Sequence, residues 1–331
     1  MKTKTTLLSL SFLALVVLLG APFVGITPLS FSHVIEPAGG TMDAVVFWHI
    51  RLPRVLTAFL AGSGLALGGM AFQALFRNPL ATPFTLGVSG GAAFGAALYM
   101  RLGIAFAFLG IPGGTWAAFA GAILVIVAVY GLTRARGGFA TTTLLLAGVA
   151  FSYFLSSMIL ALQYSASLHD SFRLVRWLMG GLGMVGYDAV LNLFPLVVTG
   201  SVLILMLTNE LNLLTIGEDL AMSRGLDVPR TKKVLFFAVS CMVGGIVAVC
   251  GPIGFVGMMA PHICRLLVGS DHRSLFPATL LFGGTFLTAC DVIARLAFAP
   301  AEIPVGVITA LLGGPFFLYL LLRRDSGSLL V

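Results

Sequence analysis

Long apolar runs alternate with short polar connections along the chain, and the runs set the architecture. Ten are continuous: Leu7–Ile26, Val45–Phe72, Phe84–Met100, Thr115–Leu132, Thr141–Tyr164, Ala189–Thr208, Val234–Cys250, Ile253–Val268, Leu275–Phe298 and Pro304–Leu322. A helix crosses a bilayer in about 20 apolar residues, whereas a barrel strand alternates apolar and polar positions over about ten. The pattern therefore predicts a bundle of ten spans, with both termini on one side. Two segments stand apart. Leu168–Gly180 is too short and too charged to cross, but its apolar residues recur at helical spacing, which predicts an amphipathic surface helix. Asn209–Lys233 is the longest polar stretch. It predicts one short helix, Gly217–Arg224, ended by Gly225 in a left-handed backbone, and a second starting near Pro229.

Composition removes the soluble alternatives. Of 331 residues, 59% are apolar and 9% charged, against about 25% charged in a soluble domain. A cytosolic enzyme, a nucleic-acid binder and a disordered chain are excluded. The net charge of +7 fits a membrane protein, because Lys and Arg accumulate in cytoplasmic loops. With the N-terminus inside, thirteen of the 19 basic residues fall on the inner side, among them Lys2, Lys4, Arg136, Arg230, Arg323 and Arg324. Lys2 and Lys4 before an apolar stretch resemble a signal peptide. Ala-Pro-Phe after Gly20 is no A-x-A cleavage site, so this segment is expected to stay as the first span. Cys241, Cys250, Cys264 and Cys290 lie within apolar runs and form no CxxC pair. They are expected to be buried thiols rather than a disulfide framework or metal site.

The motifs are more specific. Arg51-Leu-Pro-Arg54, Gln73 and Arg77-Asn-Pro-Leu-Ala-Thr-Pro come first, followed by the inner segment Leu214-Thr-Ile-Gly-Glu-Asp-Leu-Ala-Met-Ser-Arg-Gly-Leu226. Gly251-Pro-Ile-Gly, Pro261-His-Ile-Cys-Arg265, Asp271-His-Arg273, Asp291-Val-Ile-Ala-Arg295 and Glu302-Ile-Pro complete the series. In this order, from about Arg51 to Arg324, they resemble the FecCD family of bacterial importer permeases. The resemblance implies an all-α integral membrane protein with the type II ABC importer fold, comprising one permease domain, 1–331, with a cytoplasmic coupling loop at about 209–233. It implies a second permease subunit, as a homodimer, together with two ATP-binding subunits and a periplasmic substrate-binding protein, in the bacterial inner membrane with both termini cytoplasmic. The cargo implied is an iron–siderophore chelate, with haem or vitamin B12 as alternatives. The chain has no G-x-x-x-x-G-K-[ST] phosphate loop. No cofactor is therefore expected in it, and ATP and Mg are assigned to the partner ATPase; nucleic acid is not a partner.

The resemblance also implies site residues, each with a plainer reading beside it. Arg51, Arg54 and Arg295 match arginines that face binding-protein glutamates in the family's vitamin B12 permeases; headgroup anchoring is the plainer role. Asn78, Leu80, Thr141 and Thr142 match a cytoplasmic gate; for the threonines the alternative is helix capping. Gly217, Glu218, Ala221, Arg224, Gly225 and Leu226 match the segment that couples to the ATPase; the alternative is a solvated connector. Asp291 and Arg295 are four apart on one helix and can pair. A lone intramembrane carboxylate can instead signal an ion relay, and an ion-coupled secondary transporter is the competing class. His262 is expected to be a packed core residue rather than a metal ligand.

Overall fold

The computed structural model describes residues 2–30, 41–135 and 141–322. Arg136, Arg323 and Arg324 lie outside the described residues.

Helix α1, Lys2–Gly20, stops short of the predicted Ile26. Pro22 supplies no N–H and disfavours helix at the residue before it, so the chain turns through residues 21–27. Helix α2, Met42–Phe76, is the buried axis of the molecule, with π-helical turns at Val46–Arg51. The third apolar run is not one helix. A 3-10 turn, Pro83–Leu86, precedes α3, Val88–Leu102, and the two are separated at Gly87, which has a φ of 80°. A two-stranded hairpin follows, β1 Ala107–Phe108 and β2 Ile111–Pro112. Helices α4, Gly113–Ala135, and α5, Thr141–Tyr164, come next.

Helix α6, Leu168–Leu178, is the expected amphipathic segment, capped by the Ser167 hydroxyl, which accepts from the Asp170 N–H. Helix α7 spans Asp188–Met206. The polar stretch then holds two short helices before its final one. They are α8, Thr208–Ile216, which the sequence reading missed, and α9, Glu218–Ser223. Leu211 and Leu214 bury one face of α8, which a search for long apolar runs does not detect. Helix α10, Val228–Cys250, begins at a proline-containing first turn capped by Asp227. Helices α11, Val256–Val268, α12, His272–Leu296, and α13, Val305–Leu322, complete the chain.

Seven of these helices (α1, α2, α4, α5, α7, α10 and α12) have the length and composition to cross a membrane. The shorter apolar helices α3, α11 and α13 bring the bundle to about ten spans. At 1.5 Å per residue, α11 rises about 20 Å, less than a hydrocarbon core of about 30 Å. The non-helical residues 251–255 complete the path. Irregular backbone at that depth must find partners within the protein: the Gly181 N–H donates to the Cys250 carbonyl at 2.8 Å, and the Gly251 N–H to Val247 at 2.8 Å.

Helix α2 packs against α7, α10, α11 and α12. Its glycines allow the close approach. A methyl group at Gly62 would meet the Gly283 carbonyl of α12, and one at Gly69 the Gly257 carbonyl of α11. Helix α1 lies at the margin, with Leu10 and Ala14 buried and its main packing against α12.

Candidate functional site

Polar chemistry concentrates at the two ends of the bundle. At one end, the π-helical turn and the start of α2 present Arg51 and Arg54, and the last turns of α12 present Asp291 and Arg295. Asp291 is fully buried. Arg54 binds it through Nη2 at 2.9 Å and Nε at 3.0 Å, and Arg295 Nε lies 3.2 Å from its other oxygen. Arg54 Nη1 also donates to Glu302 at 2.7 Å. The expected i, i+4 pair is present, but it is one edge of a network joining α2, α12 and the loop before α13. The two remaining guanidinium arms hold the chain after α1: Arg51 donates to the carbonyls of Phe23 at 3.2 Å and Thr27 at 2.6 Å, and Arg295 to Val24 at 3.2 Å.

All three arginines expected to dock a partner therefore converge, but they point inward and are almost wholly buried. The end of α6, Pro252 and the first turns of α13 line an open cavity of about 400 Å³, with Met179, Val307 and Ala310 among its walls.

The opposite end carries the short helices. The Glu218 carboxylate, first residue of α9, accepts from Lys232 of α10 at 2.6 Å and lies 3.9 Å from Arg77 at the end of α2. Lys232 is itself buried. Gly217 joins α8 to α9 at φ 143°, ψ 149°, and Gly225 follows α9 at φ 83°. The first is a region that essentially only glycine occupies, and the second is the left-handed form expected from the sequence. Helix α8 is tied to the start of α12. Asn212 Nδ2 donates to Asp271 at 2.8 Å, the His272 N–H donates to Asn212 Oδ1 at 2.9 Å, and Arg273 Nε donates to Asn209 at 2.7 Å. The backbone N–H of Arg273, which donates to Asp271 at 3.0 Å, and then the Asn212 amide hold the Asp271 carboxyl below the usual carboxylate range.

The model of the FecCD transport family matches residues 12–323. The chain belongs to the FecCD transport family. It is an importer permease of that type, in a family whose members work with ATPase subunits and binding proteins. It is 40% identical to the cobalamin import system permease BtuC of Halobacterium salinarum, over 94% of this chain and 82% of that one. It is 37% identical to the hemin transport system permease HmuU of Yersinia pestis, over 95% and 94%. A solved transporter described as of the metal-chelate ABC type, in an inward-facing conformation, superposes with a TM-score of 0.84 at 31% identity, covering 97% of this chain and 99% of that one. PsaBC of Streptococcus pneumoniae shares the fold, with a TM-score of 0.54 at 17% identity over 88% and 95%.

The permease's remaining predicted residues divide. Asn78 Oδ1 accepts from the Leu80 N–H at 2.9 Å, so the asparagine shapes its own turn, while Leu80 is exposed. Thr141 and Thr142 open α5. No hydrogen bond joins them to Asn78 or Leu80 among the described residues. The two parts meet two turns further along, where Gly148 of α5 packs against the 3-10 turn at Thr85 and Leu86. Ala221 of α9 is fully buried; after the helix, Arg224 and Gly225 are exposed and Leu226 is half-buried. The outward face also carries Ile216, Leu220 and Met222. Sequence reasoning passed over these three, although apolar residues in an otherwise polar stretch were the available signal. Gln73 and Arg265 were quoted as motif residues without a role. They bond to one another, and the Gln73 amide also reaches the Gly257 and Met258 carbonyls, locking α2 to α11. His262 stands edge-on to Phe316, as a packed residue does.

Proposed function

We propose that this permease carries a metal chelate inward across the bacterial inner membrane, driven by ATP hydrolysis in separate subunits that bind ATP and Mg, with a second copy completing the pathway. The observation that carries this reading is the loop end: a short helix on glycine joints, with exposed Ile216, Leu220 and Met222, wired into α2 and α10 through Glu218. Such an element suits a lever that another protein pushes. Within it, Arg224 and Gly225 join the apolar face as the contact with the ATPase, while Ala221 and Glu218 anchor the helix. The full pairing of Asp291 supports a structural ion network rather than the exchangeable carboxylate of an ion-coupled carrier.

A substrate-binding protein is proposed to dock at the arginine end. Because Asp291, Glu302 and backbone carbonyls occupy Arg51, Arg54 and Arg295, these residues shape the docking mouth. A partner carboxylate reaches them only by competition. The proposed gate comprises Asn78, Leu80, Thr141 and Thr142. Cytoplasmic termini follow from the inner excess of Lys and Arg. With that orientation, a cysteine at Ser223 labels only from the cytoplasm and one at Ser171 only from outside.

Iron–siderophore is the first cargo that the family resemblance implies, and the cobalamin and hemin permeases among the relatives keep vitamin B12 and haem beside it. Reconstitution with the cognate ATPase and binding protein decides between them: ATP-dependent uptake of one of the three chelates is expected. Uptake by the permease alone, driven by an ion gradient, would replace the reading with a secondary transporter.

A further inference from the structure

The connection between α3 and α4 differs from an ordinary water-facing loop. From Leu102 to Gly114 it reads Leu-Gly-Ile-Ala-Phe-Ala-Phe-Leu-Gly-Ile-Pro-Gly-Gly, without one charged or polar side chain. It nevertheless has definite structure. Ala107 pairs with Pro112 and Phe108 with Ile111. Every residue from Arg101 to Gly110 is exposed.

The turn is the informative part. Leu109 and Gly110 both have positive φ, 53° and 75°, the pattern of a two-residue I′ turn. In water the first of those positions is normally Asn, Asp or Gly, because the Cβ of an L-residue crowds the backbone there; Gly has none, and Asn and Asp regain a local hydrogen bond. This chain places a leucine there, 78% exposed. A residue that breaks the local rule with so little packing among the described residues points to a gain from outside them.

The hairpin's backbone is closed by its own neighbours. The Tyr99 hydroxyl accepts from the Phe106 N–H at 3.4 Å, the Phe106 carbonyl accepts from Gly113 at 2.8 Å, and Trp116 Nε1 donates to the Phe108 carbonyl at 3.1 Å. Local satisfaction of backbone groups is the condition for placing non-helical chain against lipid. Tyr99, edge-on to Phe106, and Trp116, tilted against Phe108, are the residue types that concentrate at a membrane–water interface. On α4, which follows the hairpin directly, Ala120, Leu124 and Val127 form an exposed apolar stripe at helical spacing.

We propose that the hairpin at residues 103–113 is a membrane anchor, lying in the lipid interface at the end of the bundle that carries Arg101 and α6, with Leu109 inserted among the acyl chains. It fixes the depth of the α3–α4 pair, and α6 packs on α3, together with α5, through Leu174 and Trp177.

The test is collision accessibility of a spin label at Leu109→Cys, in a Cys241→Ala background that leaves only the three fully buried native thiols. The full chain is placed in phosphatidylcholine–phosphatidylglycerol nanodiscs, with labels at Leu124→Cys and Ser223→Cys as lipid and water references. The expected result is high accessibility to oxygen and loss of accessibility to a water-soluble nickel chelate, as at Leu124. High nickel accessibility, as at Ser223, would place the tip in water and overturn the proposal. Low accessibility to both reagents would mean that protein covers the tip, a second copy or a docked partner, and would overturn it equally. As an independent check, Leu109→Asp is expected to raise the nickel accessibility of a label at Phe108→Cys. An unchanged value would show that the leucine does not hold the hairpin down.

Discussion

The two ends of the permease hold their charges in opposite ways. At the arginine end, three guanidiniums and two carboxylates interlock across α2, α12 and two loops, and Asp291 has no exposed surface. At the loop end, one partly exposed carboxylate, Glu218, ties a six-residue helix to its neighbours between two glycines in unusual conformations. Buried networks are costly to disturb, and short helices on glycine joints are not. The comparison describes a stiff frame at one end and a compliant lever at the other. The proposed drive from one face needs both.

The largest effect should come from the frame. Asp291→Ala leaves Arg54 and Arg295 buried and facing each other, and should cost about 3–5 kcal/mol, read as a lower midpoint of thermal unfolding in detergent. Glu302→Ala, which removes a partly exposed partner, should cost about 1 kcal/mol or less. Equal losses from the two would dissolve the distinction between a buried core and an exposed rim in this cluster.

The lever should respond in function before stability. Gly217→Val forces a β-branched residue into a glycine-only region, at about 1–3 kcal/mol. Gly225→Val costs about 1–2 kcal/mol, with open space around its Cβ. Both variants should insert and unfold at the original temperature while ATP hydrolysis is uncoupled from uptake. Normal coupled transport in both would make α9 a passive connector.

Glu218→Gln weakens a charge-assisted hydrogen bond, with an expected local loss of about 1.5 kcal/mol, seen as faster amide exchange in α9. Pairing it with Lys232→Met should recover part of that loss, since the buried ammonium is then absent too. Strict additivity of the two changes would argue against the tie.

The smallest effect concerns acid. Asp271 titrates below its ordinary value in the folded chain, so the unfolded state binds more protons as pH falls through about 4. The Asp271 contribution to holding α8 on α12 is complete above the ordinary carboxylate pKa and is lost as pH drops through the depressed value. Asp271→Ala should remove about 1 kcal/mol of capping at neutral pH and abolish that acid sensitivity in α8 amide exchange. Persistence of the same sensitivity would assign it elsewhere.

These contrasts also mark what the sequence could reveal. Helix α5 runs Thr141–Tyr164 in both the reading and the structure, because a long apolar run between polar connections needs no distant information. The Asp291–Arg295 pair was legible for the same reason: both residues lie on one helix. Arg54, which binds Asp291 from 237 residues away, was assigned to an outward role because nothing local shows which way an arginine turns. Helix α8 was missed because its stability comes from Leu211 and Leu214 packing on distant segments rather than from its own pattern. The glycine at 225 was read correctly as left-handed, since that preference is intrinsic to the residue.

The arginine clasp on residues 22–27 has a consequence for how the chain is made. Arg295 reaches Val24 across 271 positions, and α1 packs mainly on α12. At about 5–20 residues per second, the ribosome needs on the order of 15–55 s between the two. For that interval α1 lacks the arginine and the helix that later hold it. Its place in the bundle is therefore settled late in synthesis, and a quality-control protease that recognises loosely held spans would find α1 exposed in any chain cut short before the ninth.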